Sequence, residues 1–436
     1  MTQEYLARPA TSVAGEITVP GDKSVSHRSL MLGGVASGDT RISGFLASED
    51  CLATLAALQA LGVRIERPEP TRVIVRGAGD VFQVPDRALD MGNAGTAMRL
   101  SMGLLVGRPF ESTLVGDSSL MRRPMERVAG PLRLMGAQIS TRDGKPPVVI
   151  HGGASLKAID YTLPMASAQV KSAVLLAALR AEGRTRVVEP APTRDHTERM
   201  FGAFGVKLQR DGAAVSLEGG QKLTGTDIQV PADFSSSAFF MVAGALGARD
   251  GLLLKNVGIN PTRTGLLTLL QQMGADIRVH PHGGPDNGTG EPLADIEVRQ
   301  SELRGITVDD ALVPLSIDEF PVFFIAAAVA QGETVLRGAE ELRVKESDRL
   351  AVMAEGLKAL GVKHELLPDG IRIQGGGGFS GGTVDSHGDH RIAMSFAVAS
   401  LRASAPIRIL DVANVATSFP GFVELARSAG LDLEVR

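Results

Sequence analysis

The sequence predicts an α/β protein of two domains, each holding three copies of one unit, and three observations carry that expectation. The first is a recurring junction. Leu61-Gly62-Val63-Arg64-Ile65, Met135-Gly136-Ala137-Gln138-Ile139, Phe204-Gly205-Val206-Lys207-Leu208, Met273-Gly274-Ala275-Asp276-Ile277, Leu360-Gly361-Val362-Lys363-His364 and Ala429-Gly430-Leu431-Asp432-Leu433 each run apolar residue, glycine, apolar residue, variable residue. The second is the period: these glycines lie 74, 69, 69, 87 and 69 residues apart, too regular for chance and too long for an ordinary solenoid repeat. The third is length, because 436 residues exceed what one ordinary core holds.

Taken in order, an amphipathic pattern runs up to each glycine. It predicts helices over Cys51–Leu61, Met125–Met135, Thr197–Phe204, Gly265–Met273, Arg349–Leu360 and Phe422–Ala429. Glycine at the helix end, followed by alternation, reads as a C-cap leading into a strand. The one long interval contains the Gly/Pro-rich stretch His280 to Pro292, which reads as an added loop. Val19-Pro20-Gly21-Asp22 reads as a turn after a short first strand, and at Phe234-Ser235-Ser236-Ser237 a strand ends before a helix Ala238–Leu246. Domain crossings at these two stretches give one discontinuous domain, residues 1–20 with 236–436, and one inserted domain, residues 21–235. A cleft between similar halves is the expected ligand site.

Bulk composition narrows the function. Apolar residues make up 44% and charged residues 22% of the chain, the balance of a globular protein with little room for extended disorder. A net charge of -4 argues against a general nucleic-acid binder and leaves local basic clusters to hold a small anionic ligand. The single cysteine, Cys51, excludes internal disulfides and a cysteine-based zinc site, and fits a reducing compartment. Met1 to Ala10 lacks the apolar run of a signal peptide, and no apolar stretch is long enough to span a bilayer. The expectation is a cytoplasmic enzyme, monomeric, with no membrane or nucleic-acid partner.

Charged and small residues gather where helices begin. In Leu342-Arg343-Val344-Lys345-Glu346-Ser347-Asp348-Arg349-Leu350, five of nine residues are charged, and a helical apolar pattern starts near Ser347. Backbone N–H groups and the helix dipole favour an anion there, and Glu346 beside Lys345 offers an ionisable pair able to handle protons, although a capping cluster on a solvated helix is the plainer reading of this stretch taken alone. Gly21-Asp22-Lys23-Ser24-Val25-Ser26-His27-Arg28, before the apolar run Leu30–Val35, clamps anions without being a Walker loop. Gly92-Asn93-Ala94-Gly95-Thr96-Ala97-Met98-Arg99 lets backbone amides approach a phosphate or carboxylate, although tight helix entry alone would also require small residues. Arg122-Arg123-Pro124 offers bidentate grip.

Ser167-Ala168-Gln169-Val170-Lys171 leads the apolar run Ala173–Leu179, and Arg194-Asp195-His196-Thr197 opens the next helix. Asp318-Glu319 borders the apolar Val322–Ala330, which makes Asp318 a candidate general base, with helix capping the plainer role. Asp385-Ser386-His387-Gly388-Asp389-His390-Arg391 precedes Ile392–Ala399. Its two histidines and acids lack a third histidine or cysteine cluster, so the stretch reads as another anion clamp rather than a metal site.

Together these motifs resemble the 5-enolpyruvylshikimate-3-phosphate synthase family. Gly21–Arg28, Gly92–Arg99, Arg122-Arg123-Pro124, Ser167-Ala168-Gln169, Arg343–Arg349 and Asp389-His390-Arg391 occur in family order along essentially the whole chain. The resemblance implies the two-domain enolpyruvyl transferase fold, with six βαβαββ repeats, three per domain, and an N-terminal strand returning to the C-terminal domain. It implies transfer of the enolpyruvyl group of phosphoenolpyruvate to the 5-hydroxyl of shikimate 3-phosphate, with no cofactor and no metal. Lys23, Ser24, Arg28, Ser167, Ala168, Gln169, Arg194, Asp318 and Lys345 would then hold shikimate 3-phosphate. Lys23, Asn93, Gly95, Arg123, Gln169, Arg349, His390 and Arg391 would hold phosphoenolpyruvate. Asp318 would take the proton of the attacking hydroxyl, Glu346 would serve proton transfer at the methylene carbon, and Lys23 would assist proton movement as well as binding charge.

The chain departs from many members. Thr417 stands in Ala416-Thr417-Ser418-Phe419-Pro420 where a lysine contacts phosphoenolpyruvate, and Ala168 stands within Ser167-Ala168-Gln169 where many read serine. These features, with Arg194, resemble the second class of the family, which includes glyphosate-tolerant enzymes, whereas Gly95 is the small residue of sensitive ones. Two rivals remain. The sister transferase acting on UDP-N-acetylglucosamine has Lys-Asn in place of Lys23-Ser24 and a reactive cysteine in a mobile loop, a position Cys51 does not match. A non-catalytic polyanion-binding repeat protein would gain nothing from Asp318 and Glu346 among its cations.

Overall fold

The computed structural model describes residues 3–79, 81–282 and 289–436. All six junction glycines have left-handed backbone, with φ of 86°, 98°, 86°, 95°, 81° and 111° from Gly62 to Gly430. Each follows a helix and is followed within three residues by a strand. A side chain disfavours this conformation, so each glycine marks a helix end where the chain turns into the following strand.

Among the described residues the strands form six small sheets built to one plan. In residues 89–150, Leu89–Asp90 runs parallel to Ser112–Val115. Lys145–Ile150 then pairs antiparallel with Ser112–Val115 and with Ile139–Arg142. Helices Gly95–Leu105 and Glu126–Leu134 make the crossovers, which completes a βαβαββ unit. Residues 160–218 repeat it. Other repeats are closed by strands remote in sequence. Asp227–Gln229 lies parallel to Ser37–Ser43, Gly15–Ile17 lies parallel to Leu252–Gly258, and Tyr5–Arg8 lies between Ile407–Leu410 and Asp432–Val435. In the sheet of Glu333–Leu336, Gly370–Gln374 and Lys363–Leu367, the parallel partner is reduced to bridges Arg304–Gln331 and Thr307–Val335.

The chain separates into two compact units, each with its own apolar core. The discontinuous unit comprises Met1–Pro20, Ala232–Gly284 and Pro292–Arg436, and the inserted unit Gly21–Pro231 and Pro285–Glu291. The second crossing falls at Pro231/Ala232, ahead of the expected 235/236. The reason is local: Asp233 caps a helix Phe234–Gly247, accepting from Ser236 N at 2.9 Å, so the serine run is already helical. Of the expected loop His280–Pro292, residues 283–288 lie outside the described residues. Thr289–Glu291 packs on the inserted unit, where Arg199 Nη1 donates to Gly290 O at 2.9 Å.

Helix starts also differ from expectation in a way that matters for the site. Helices begin at Lys23, Ala168 and His390, earlier than their apolar runs, because Asp22, Ser167 and Asp389 supply caps for the polar residues that follow. Lys23, Ala168, Gln169 and Arg391 therefore sit in first helical turns.

Helices Gly95–Leu105 and Ala168–Ala178 cross at Gly103, where an added Cβ would stand 2.1 Å from Ala173 O. Gly205 has nothing within 4 Å of such a Cβ, so its demand is conformational alone. Gly205→Ala should lower stability by about 1–2 kcal/mol with turnover intact. Gly103→Ala should lower both, because it separates two helices that carry site residues. Urea unfolding and steady-state turnover of the two variants test this contrast.

Candidate active site

In the inserted unit, the sequence-selected residues form two adjoining groups joined by the helix Ala168–Ala178. The first surrounds Gly95. Arg123 donates from Nη2 to Asn93 Oδ1 at 2.7 Å and from Nη1 to Asn93 O at 3.2 Å. Arg99 Nη1 donates to Gln169 Oε1 at 2.7 Å, and Gln169 Nε2 donates to Thr96 Oγ1 at 2.9 Å. A Cβ on Gly95 would stand 3.1 Å from Arg99 Nη1 and 3.2 Å from Arg123 Nη1. The glycine thus keeps open the space in front of two guanidinium groups. Arg123 Nε is buried without a hydrogen-bond partner, a charged group still lacking part of its solvation.

The second group surrounds Arg28, which is 4% exposed. Arg28 Nε donates to Thr197 Oγ1 at 2.7 Å, Nη2 donates to Ser172 Oγ at 2.9 Å, and Nη1 donates to Ser24 O at 3.0 Å. Burial pulls its pKa down to about 10, with the neighbouring Arg194 charge acting in the same direction. It stays a cation at neutral pH, held by neutral hydroxyls that leave its charge for a ligand. Lys23 forms an ion pair with the buried Asp50. Ser167 is engaged as the helix cap, its Oγ accepting from Val170 N at 3.4 Å. His27 is buried and bonded to Thr54 Oγ1 at 2.7 Å, and burial holds it well below its ordinary pKa. It is a neutral core histidine.

The discontinuous unit centres on Arg349, which is 1% exposed. Its Nε donates to Asp389 Oδ2 at 2.8 Å, its Nη2 to Glu346 Oε2 at 2.5 Å, and its Nη1 to Asp318 Oδ1 at 3.4 Å. Lys345 Nζ lies 3.6 Å from Asp318 and 2.6 Å from Glu341. Arg391 Nη1 donates to Asp318 O at 3.0 Å and lies 3.8 Å from Glu319. Burial pushes the Glu319 carboxyl up, against the pull of Arg391 and Arg263. Lys345 and Glu346 each meet a charged partner three or four positions along the chain, Glu341 and Arg349.

His390 is buried at the start of its helix, whereas His387 lies half exposed, 3.4 Å from Glu355, so the two histidines serve different surroundings. Thr417 is buried and donates to Asn414 O at 2.7 Å. Its hydroxyl closes a turn and does not replace a lysine ammonium.

Several site residues were not singled out by sequence reasoning. Asp389 is one: its place just before a helix signals a cap, and it does accept from Arg391 N at 3.0 Å. Nothing local signals that the same carboxylate neutralises an arginine forty positions away. Arg99 was visible only as the end of a glycine loop. Lys171 had a signal, as the one cation within an otherwise apolar helix.

Burial acts to raise the Asp389 pKa, but Arg349 beside it holds the carboxyl below its ordinary value of 3.8. Its contribution to stability is therefore complete at neutral pH and is lost as pH falls through that lowered value. Asp389→Asn keeps a good capping residue but removes the charge. Unfolding at pH 7 should show a loss of about 3 kcal/mol, the cost of stranding a buried charge, and a smaller difference from the parent in acid.

Known proteins share this chain's sequence and fold. Residues 7–425 match the family model of EPSP synthase (3-phosphoshikimate 1-carboxyvinyltransferase). A 3-phosphoshikimate 1-carboxyvinyltransferase of Methylococcus capsulatus is 58% identical over 433 residues, covering 99% of this chain and 98% of that protein. One from Halorhodospira halophila is 58% identical over 435 residues, covering 99% and 97%. The solved structure of EPSP synthase from Acinetobacter baumannii superimposes with a TM-score of 0.89 at 54% identity, over 100% of both chains. Sequence and fold together place the chain in the EPSP synthase family.

Proposed function

We infer that this chain transfers the enolpyruvyl group of phosphoenolpyruvate to the 5-hydroxyl of shikimate 3-phosphate and releases phosphate. The observation that carries this reading is Asp318, a carboxylate held 3.4 Å from Arg349 and 3.6 Å from Lys345. A passive anion site has no use for an acid among its cations, whereas a base needs to be ionised at the point of proton abstraction.

Asp318 takes the proton of the 5-hydroxyl as its oxygen adds to C2 of phosphoenolpyruvate, and the methylene carbon gains a proton. Elimination then returns that proton and expels phosphate. Glu346 serves the carbon, placed for this by Arg349. Lys23, Ser24, Arg28, Ser167, Ala168, Gln169, Arg194, Asp318 and Lys345 bind shikimate 3-phosphate. Lys23, Asn93, Gly95, Arg123, Gln169, His390 and Arg391 bind phosphoenolpyruvate. Arg349 joins them, with Nη1 shared with Asp318 and with Nε and Nη2 engaged by Asp389 and Glu346. Fixed cations aimed at phosphate and carboxylate stabilise charge without reorganising during reaction.

The UDP-sugar reading is disfavoured by Cys51, which is fully buried with its thiol pushed up to about 12 by desolvation. Such a thiol is not nucleophilic at neutral pH. We place the reaction in the cytoplasm, where that thiol stays reduced.

Phosphate release measured with each acceptor should proceed with shikimate 3-phosphate and not with the UDP-sugar. Asp318→Asn and Glu346→Gln should each lower kcat by roughly a hundredfold or more with much smaller changes in KM. Near-normal turnover in both would refute the assigned roles. Gly95→Ala should push the guanidinium ends of Arg99 and Arg123 back by a few tenths of an ångström. Glyphosate, longer than phosphoenolpyruvate, competes for this site in the family. The parent should be inhibited, and Gly95→Ala should lose inhibition by a larger factor than it loses affinity for phosphoenolpyruvate. Paired inhibition curves at varied phosphoenolpyruvate check this.

A further inference from the structure

A lysine that the reaction does not use lies directly behind the Arg28 group. Lys171 is 0% exposed. Its Nζ lies 2.6 Å from Glu189 Oε1, 2.8 Å from Glu198 Oε1 and 3.4 Å from Thr193 O. Glu189 in turn accepts from Thr193 N at 3.0 Å and from the Thr193 hydroxyl. A buried lysine with two acids is an expensive arrangement, since an apolar cluster of similar volume usually serves stability as well or better. Stability alone therefore does not explain it.

Its neighbours suggest what it does. Lys171 precedes Ser172, and Glu198 follows Thr197, the two hydroxyl residues that orient Arg28. Thr197 Oγ1 also donates to Ser172 Oγ at 2.8 Å. The same two helices are thus joined twice, by an ion pair and by a hydroxyl pair, one residue apart in each sequence. Thr193, bonded to both Glu189 and Lys171, immediately precedes Arg194. One ion cluster consequently fixes the backbone of Arg194 and the supports of Arg28. Glu198, which also lies 3.6 Å from Arg210 Nη2, favours the charged form of Arg28 against the repulsion of Arg194.

We propose that Lys171, with Glu189 and Glu198, is a positioning device that sets Arg28 and Arg194 for recognition of shikimate 3-phosphate. The proposal rests on the assignment of those two arginines to that substrate. It predicts a selective effect: loosening the cluster alters the grip on the phosphorylated acceptor and leaves the Gly95 group, on the far side of Gln169, to bind phosphoenolpyruvate as before.

The test uses the full chain and three variants. Lys171→Met with Glu189→Gln and Glu198→Gln removes all three charges while keeping volume. Thr193→Val removes only the hydroxyl bond to Glu189. Arg28→Ala reports on the assignment itself. The triple variant should remain folded, with KM for shikimate 3-phosphate raised about tenfold or more. KM for phosphoenolpyruvate should stay within about twofold, and kcat should change little. Thr193→Val should shift the same KM in the same direction by a smaller factor. Equal rises in both KM values, or loss of kcat in step with a lowered Tm, would show a merely structural cluster and overturn the proposal. Unchanged KM values in a folded triple variant and in Thr193→Val would overturn it too, leaving the assignment standing if Arg28→Ala still raises KM for shikimate 3-phosphate. If Arg28→Ala leaves that KM unchanged, the assignment fails and the proposal falls with it.

Discussion

The buried pair of Arg349 and Asp389 is the constraint on which the discontinuous unit's chemistry rests. Both side chains are removed from water, at 1% and 0% exposure, and either charge would be costly there alone. Paired, they hold each other ionised: burial works against both charges, yet Asp389, Glu346 and Asp318 keep Arg349 above its ordinary pKa. Because Asp389 fixes one edge of the guanidinium, the remaining edges are aimed at Glu346 and Asp318. The two acids assigned to proton transfer are therefore set by one rigid fork rather than by their own flexible side chains.

The inserted unit solves its problem differently. Arg28 is surrounded by hydroxyl and carbonyl oxygens and Arg123 by asparagine and serine oxygens. Neutral acceptors satisfy the guanidinium geometry without cancelling its charge, which suits a group that binds an anion more than one that directs an acid. Under the proposed roles, the acid-paired arginine directs the two acids as well as meeting an anion, and the neutrally solvated arginines meet anions alone.

Both arrangements are presented at helix starts. Asp22, Ser167, Asp348 and Asp389 cap four of these helices by accepting backbone N–H bonds. The next residues, including Lys23, Gln169, Arg349 and Arg391, then project from a rigid first turn. The repeated βαβαββ unit brings such a turn back at a regular interval, and small variations in each copy distribute different side chains over the same scaffold.

The sequence by itself determined the repeat. A left-handed glycine and a helical apolar stripe are local demands, and local demands are written in neighbouring residues, so all six junctions and their helices were legible. The anion-facing motifs were legible for the same reason, since capping and dipole effects act within one turn. Tertiary structure decided what local spacing cannot encode. It supplied strands Tyr5–Arg8 and Gly15–Ile17 to sheets built largely from distant sequence. It brought Glu346 to Arg349, paired Arg349 with Asp389 across forty residues, and buried Lys171 between two glutamates. Charge pairing depends on distance through space and on the exclusion of water, and neither is a property of the chain until it folds.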